Sequence, residues 1–238
     1  MPYWYFVQDF NLSHWNDGQN KFQRLRILFL DTNSLLCSHN EWDKLTPLER
    51  YECREMWYGL PDKHVENPSH LKDNYPPRDT QLESDKDDTI AWVLVVGHHP
   101  LFSRGPHGTP NMLNKYLRPL FQMSAKVVAY FAGHNHGLEH YIWDRYNNWD
   151  HAEKKINDVP SHPKKSLFHT FLSGASGVAS LHDMKGEPPE QKDSSLQLGY
   201  LGKQVYGFMS VSASPQSILV QTWDEFANEV HSVVISTR

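Results

Sequence analysis

Two apolar runs in this chain end the same way. Ile90-Ala-Trp-Val-Leu-Val-Val96 runs into Gly97-His98-His99-Pro100, and Lys126-Val-Val-Ala-Tyr-Phe-Ala132 runs into Gly133-His134-Asn135-His136. A neutral imidazole is the commonest side-chain ligand for zinc and iron. The glycine ahead of each histidine lets the backbone turn sharply and lets the ring approach a shared centre without Cβ crowding. Two histidines one residue apart can reach two ions roughly 3.5–4 Å from each other, so His134 and His136 can each serve a different metal. With 15 histidines in the chain, a single histidine is weak evidence, and ordinary polar residues at strand ends are the competing reading. The repetition of the strand-Gly-His ending carries the argument.

These residues need elements to position them. Both apolar runs have the length and β-branched content of strands buried on both faces of a sheet. Between them, Met112, Leu113, Tyr116, Leu117, Leu120 and Phe121 recur at helical spacing, which predicts a crossover helix over Met112–Met123. The unit is strand, helix, strand, and the loops leaving the carboxyl ends of parallel strands are where α/β folds place ligands. Upstream, Tyr3–Phe10 and Leu25–Leu30 read as strands, Asp31-Thr-Asn-Ser as a turn, Leu45–Leu60 as a helix and Pro61–Asp88 as a long surface loop. Downstream, Asn147–Lys165 reads as an exposed excursion between two hairpin strands. Leu167–Leu172 reads as a strand entering Ser173-Gly-Ala-Ser-Gly177, and Lys185–Lys192 as a loop. Tyr206–Val211, Ser217–Trp223 and His231–Ile235 read as an antiparallel meander. His140 and His151 read as surface residues.

Composition bounds the rest. The 238 residues, 39% hydrophobic and 13% aromatic, suit a single domain spanning 1–238. A net charge of −5 gives no basic field for nucleic acid or an anionic membrane, so neither is an expected partner. The longest apolar run, Ile90–Val96, is core-strand length and far short of a membrane span. Only Cys37 and Cys53 are present, too few for a disulfide framework and wrongly spaced for structural zinc.

Val96-Gly-His-His-Pro100, Ser103, Pro106-His107-Gly108, Ala132-Gly-His-Asn-His136 and Leu172-Ser-Gly-Ala-Ser-Gly177 together resemble the purple acid (tartrate-resistant) phosphatase family of calcineurin-like metallophosphoesterases. Tyr206-Gly-Phe-Met-Ser-Val211 and the strands after it resemble that family's closing sheet. The resemblance implies an α/β, α+β-like fold, an incomplete four-layer β-sandwich flanked by helices. It also implies a dinuclear centre of Fe(III) with a divalent Fe, Zn or Mn. His98 and His134 would ligate the divalent ion and His136 the iron(III). His107 would contact the phosphate or protonate the leaving alcohol of a small phosphomonoester.

The family's site takes seven protein ligands. Four belong to motifs absent here: an early Asp, a Gly-Asp-x-x-Tyr pair and the Asn of Gly-Asn-His-Asp. The resemblance therefore implies an N-terminally truncated chain, the C-terminal portion of the domain, with an uncovered sheet edge. Asp31 matches a position that is not a ligand, and His99 matches one that varies in the family, so the resemblance assigns neither a metal. Cys37 matches a disulfide position whose partner is Met112 here, so pairing with Cys53 and a free thiol both stay open. Asn11-Leu-Ser13 is a glycosylation sequon in a secreted protein. The opening Met-Pro-Tyr-Trp-Tyr-Phe has no signal-peptide pattern, which says nothing about secretion if Met1 is internal. For a full-length parent the resemblance implies a secreted, lysosomal or vacuolar location. Two alternatives stand beside the acid phosphatase: an inactive remnant with at most a partial metal site, and a phosphodiesterase or nucleotidase of the same superfamily.

Overall fold

The computed structural model describes residues 5–12, 23–32, 86–122, 124–145, 167–177 and 180–236. The expected helix over 45–60, the excursion over 147–165, Cys37, Cys53 and His151 lie outside the described residues, as does the expected loop over 61–88 up to residue 85. Ten strands are described, in two sheets. The larger holds β1 (Tyr5–Asn11), β2 (Arg24–Leu30), β3 (Ile90–Gly97), β4 (Val127–Ala132), β5 (Leu138–Asp144), β6 (Leu167–Ser173) and β7 (Leu196–Gly202) in the order β1-β2-β3-β4-β6-β5-β7. The smaller holds β8 (Gly207–Ala213), β9 (Ser217–Asp224) and β10 (Glu229–Ser236), the expected meander. Helix α1 (Asn111–Gln122) is the predicted crossover and α2 (Pro189–Lys192) is a single turn.

β2, β3, β4 and β6 pair in parallel, so their carboxyl ends share one rim. Side chains alternate across this sheet and fill two cores. On one face, Leu28, Val93, Val95, Val127 and Tyr130 pack with Leu113, Leu117 and Phe121 of α1, the i, i+4, i+8 stripe. On the other, Leu25, Trp92, Leu94, Ala129 and Phe171 pack with Ile218, Val220 and Ile235 of the small sheet. The architecture is thus an α/β sandwich. Fully burying a side chain such as Leu117 stabilises by roughly 1.5–3 kcal/mol, which is what holds the crossover helix down.

Three features depart from the sequence reading. β7 has no predicted counterpart, and the expected loop 185–192 contains α2. His140 is buried rather than at the surface, with only 1% of its area exposed. It lies on β5, which is flanked by β6 on one side and β7 on the other, and its ring stacks on Phe171 at 4.5 Å. Gly199 of β7 makes room for it, since a Cβ there would lie 2.5 Å from His140 Nδ1. The ring bridges His169 on β6 (Nε2 to Nδ1, 2.9 Å) and His231 on β10 (Nδ1 to Nε2, 3.0 Å), tying the two sheets together. Among the described residues β1 is the edge strand of the larger sheet, with Phe6 and Phe10 exposed.

Candidate metal centre

The parallel pairing of β3 with β4 brings the two Gly-His turns side by side. Gly133 N–H donates to the His98 carbonyl at 2.9 Å, which locks one turn to the other. His98 Nε2 and His134 Nδ1 then lie 3.1 Å apart, with the rings edge-on at 72°. Gly97 is required by space: a Cβ would sit 2.3 Å from the Tyr130 hydroxyl oxygen and 2.6 Å from Thr32 Cγ2. His134 has φ 68°, the left-handed region that non-glycine residues rarely adopt and that clusters at functional sites.

His99 is brought close as well, its ring 4.4 Å from that of His134, and His98, His99 and His134 each offer one ring nitrogen to a group in which these atoms lie within 4.8 Å of one another. Hydrogen-bond valence nevertheless separates His99 from the other two. The buried hydroxyl oxygen of Thr32 accepts the amide N–H groups of His98 and His99, each at 3.1 Å, which fills both of its lone pairs. Its own proton must go to His99 Nδ1 at 3.0 Å, leaving the neutral ring protonated at Nε2. A nitrogen that carries a proton is a donor and not a ligand. His136 is set the opposite way. Its Nδ1–H donates to the Ser180 carbonyl at 3.1 Å, so the lone pair is at Nε2. An outer carbonyl that orients the ring in this way is the usual company of a metal-ligating histidine.

His107 comes from the loop over 101–109, its ring 4.4 Å from His134. A buried network fixes that loop. The His107 amide donates to Asn135 Oδ1 at 3.2 Å, and Asn135 Nδ2 donates to Ser103 Oγ at 2.8 Å. Glu139 lies beneath, fully buried, accepting from the Arg104 amide at 2.9 Å and from the Ser103 hydroxyl at 3.4 Å. Burial pushes the Glu139 carboxyl up to about 7, despite these donors and the nearby Arg104 guanidinium. Asn135 thus joins the turn that bears His134 and His136 to the loop that bears His107.

One neighbour had no signal in the sequence. His182 stacks on His136 at 4.0 Å and 16°, and its ring lies 5.1 Å from that of His107. Burial first, then the nearby His136, His107 and His134, lower its pKa. It sits in a polar stretch with no motif, and only the return of the chain after β6 reveals it. Asp31 does not belong to the histidine group.

With this geometry in view, relatives are informative. No family model matches the chain. Purple acid phosphatase 17 of Arabidopsis thaliana is 33% identical over 182 residues, covering 76% of this chain and 44% of that protein. Purple acid phosphatase 3 of the same plant is 29% identical over 185 residues, covering 74% and 42%. The chain belongs to the purple acid phosphatase family. Its similarity extends to the tartrate-resistant acid phosphatase type 5 of Sus scrofa, 36% identical over 91 residues, which are 34% of this chain and 25% of that one. Among solved structures, GAP50, the anchor in the inner membrane complex of Plasmodium, matches all of this chain and 56% of its own with a TM-score of 0.61 at 16% identity, a likeness of fold. The chain spans less than half the length of the plant family members it matches. No helix among the described residues is long and apolar enough to cross a membrane.

Proposed function

We propose that this chain contributes the histidine share of a dinuclear centre that hydrolyses small phosphomonoesters. His98 and His134 would hold a divalent Fe, Zn or Mn, and His136 an iron(III). The observation that carries this reading is the 3.1 Å approach of His98 Nε2 to His134 Nδ1 at adjoining strand ends. Two imidazoles bound to one tetrahedral ion at about 2.0–2.1 Å leave their nitrogens a little over 3 Å apart, so the pair fits a shared ion. The lone pair of His136, oriented by Ser180, fits a second.

When bound, such ions supply charge for the phosphate oxygens and acidify water at mildly acidic to neutral pH. The chain supplies position and protons. His107, set by Asn135 beside His134, is in place to contact the phosphate or protonate the leaving alcohol, and histidine is the side chain that exchanges protons in this pH range. Glycine and a left-handed His134 keep the turns compact enough for the rings to meet.

The test measures zinc stoichiometry by elemental analysis on the full chain, with p-nitrophenyl phosphate hydrolysis on a full-length parent. His98→Ala and His134→Ala are expected to remove the metal and to abolish turnover. Retention of metal and turnover by either variant refutes the ligand role. On the 238-residue chain alone, less than two metals per molecule and no hydrolysis above the His98→Ala control are expected.

A further inference from the structure

His182 stands outside every motif that carries the family resemblance, yet the backbone fixes its chemistry. The His136 amide N–H donates to His182 Nδ1 at 2.9 Å, and the His182 amide N–H donates back to the His136 carbonyl at 2.9 Å. A peptide N–H can only donate, so His182 Nδ1 must be the unprotonated nitrogen and the ring's proton is at Nε2. The near-parallel stack on His136 holds the ring plane. The neighbouring segment is fixed too: the Gly186 amide donates to the Arg104 carbonyl at 2.8 Å, and Arg104 pairs with Glu190. His182 and the His107 loop are therefore parts of one tied rim.

A ring with a fixed Nε2–H cannot ligate a metal there, but it suits an anionic oxygen. It adds a hydrogen bond without adding positive charge to a crowd of imidazoles. We propose that His182 is a binding residue for a tetrahedral oxyanion of the phosphate class, donating from Nε2 beside His107. This rests on the reading of the site as one that handles phosphate.

The test has an arm that needs neither substitution nor metal. In the full chain with 15N-labelled histidine, long-range proton–nitrogen spectra are expected to show His182 as the Nε2–H tautomer, and an Nδ1–H tautomer overturns the proposal. The second arm titrates the zinc-loaded full chain with inorganic phosphate. His182→Phe, which keeps an aromatic ring to stack on His136 but has no donor, is expected to weaken phosphate binding about tenfold, the worth of a hydrogen bond to a charged group. Zinc affinity should be unchanged. His182→Gln, whose amide can replace the Nε2–H, should restore much of the loss. Unchanged phosphate affinity in His182→Phe, or a matching loss of zinc, overturns the donor role. Phosphate binding that falls with His98→Ala but ignores His182→Phe sinks this inference and leaves the metal site standing. A zinc-loaded chain that binds no phosphate overturns both.

Discussion

His134 combines an imidazole held 3.1 Å from that of His98 with a backbone that a side chain disfavours, at φ 68°. For a residue with a Cβ the left-handed conformation costs roughly 1–2 kcal/mol, and glycine escapes that penalty. His134→Gly is therefore expected to be more stable to urea than His134→Ala by about 1 kcal/mol, although both lack the imidazole proposed as a ligand. The reverse order would show that packing by the imidazole's neighbours outweighs the backbone. Gly97 sets the opposite constraint. Gly97→Ala drives a methyl into Tyr130 and Thr32, and overpacking of this kind costs about 1–3 kcal/mol, readable as a lower urea midpoint. The strand-Gly-His repetition was legible because it is a pattern of residue type and spacing along the chain. The Nε2–H state of His99 was not, because it depends on how many bonds Thr32 Oγ1 makes, a count that exists only in three dimensions.

At the scale of elements, the loop over 101–109 has little regular structure and is held by side chains instead. Asn135 uses both ends of its amide, Oδ1 toward His107 and Nδ2 toward Ser103. Asn135→Asp would place a second acceptor opposite the Ser103 hydroxyl oxygen, which already accepts the Gly105 amide at 2.9 Å. A loss of about 1–3 kcal/mol is expected, the range for a buried polar group left unsatisfied, together with a changed His107 resonance. An unchanged melting temperature would show the loop to be held by other contacts. Glu139 gives this element a pH signature. Its folded carboxyl, near 7, lies above its ordinary 4.5, so its stabilising contribution is full below 4.5 and is lost as pH rises through about 7. Glu139→Gln should flatten stability against pH over that window, measured by denaturant titration, and an unaltered slope would refute the shift. The strands β3 and β4 and the helix α1 were legible from periodicity. β7 was not, since Gly199 and Gly202 interrupt Leu196-Gln-Leu-Gly-Tyr-Leu-Gly202 and the close approach of His140 that favours Gly199 is a tertiary fact.

At the scale of the whole molecule, two sheets meet over a shared apolar core and a row of three imidazoles, His169, His140 and His231. Burial, with charge from neighbouring His169 and His231, pushes His140 down to about 2, and burial with the Arg145 guanidinium pushes His169 to about 4. Burial also lowers His231, against the pull of Glu229, while Tyr200 covers its ring at 4.9 Å. Folded values below the ordinary 6.5 mean that stability from these groups is present above 6.5 and lost as pH falls below it. This trend is opposite in sign to that of Glu139, the adjacent residue in the chain. His140→Phe is expected to flatten the acid loss between pH 6.5 and about 4, followed by denaturant titration at stepped pH. An identical decline in the variant would remove the imidazole row as its cause. That His140 reads as a surface residue in the sequence follows from its polarity, since nothing local reveals that β6, β7 and β10 all close on it.

The row has a further property. Each neutral imidazole has one ring proton, and His140 spends one nitrogen on each neighbour, so the bonds can be made in only two ways. In one, both bonding protons point toward His169; in the other, both point toward His231. Reversal of one bond compels reversal of the next, which makes the row a directional object with two settings and no mixed one. Charge at its ends selects between them. Arg145 repels protons aimed at His169, and Glu229 attracts protons aimed at His231. Both favour the second setting, in which His231 accepts from His140 and carries its own proton on Nδ1, so the polarity of a wholly uncharged seam is written by two charged residues at its margins.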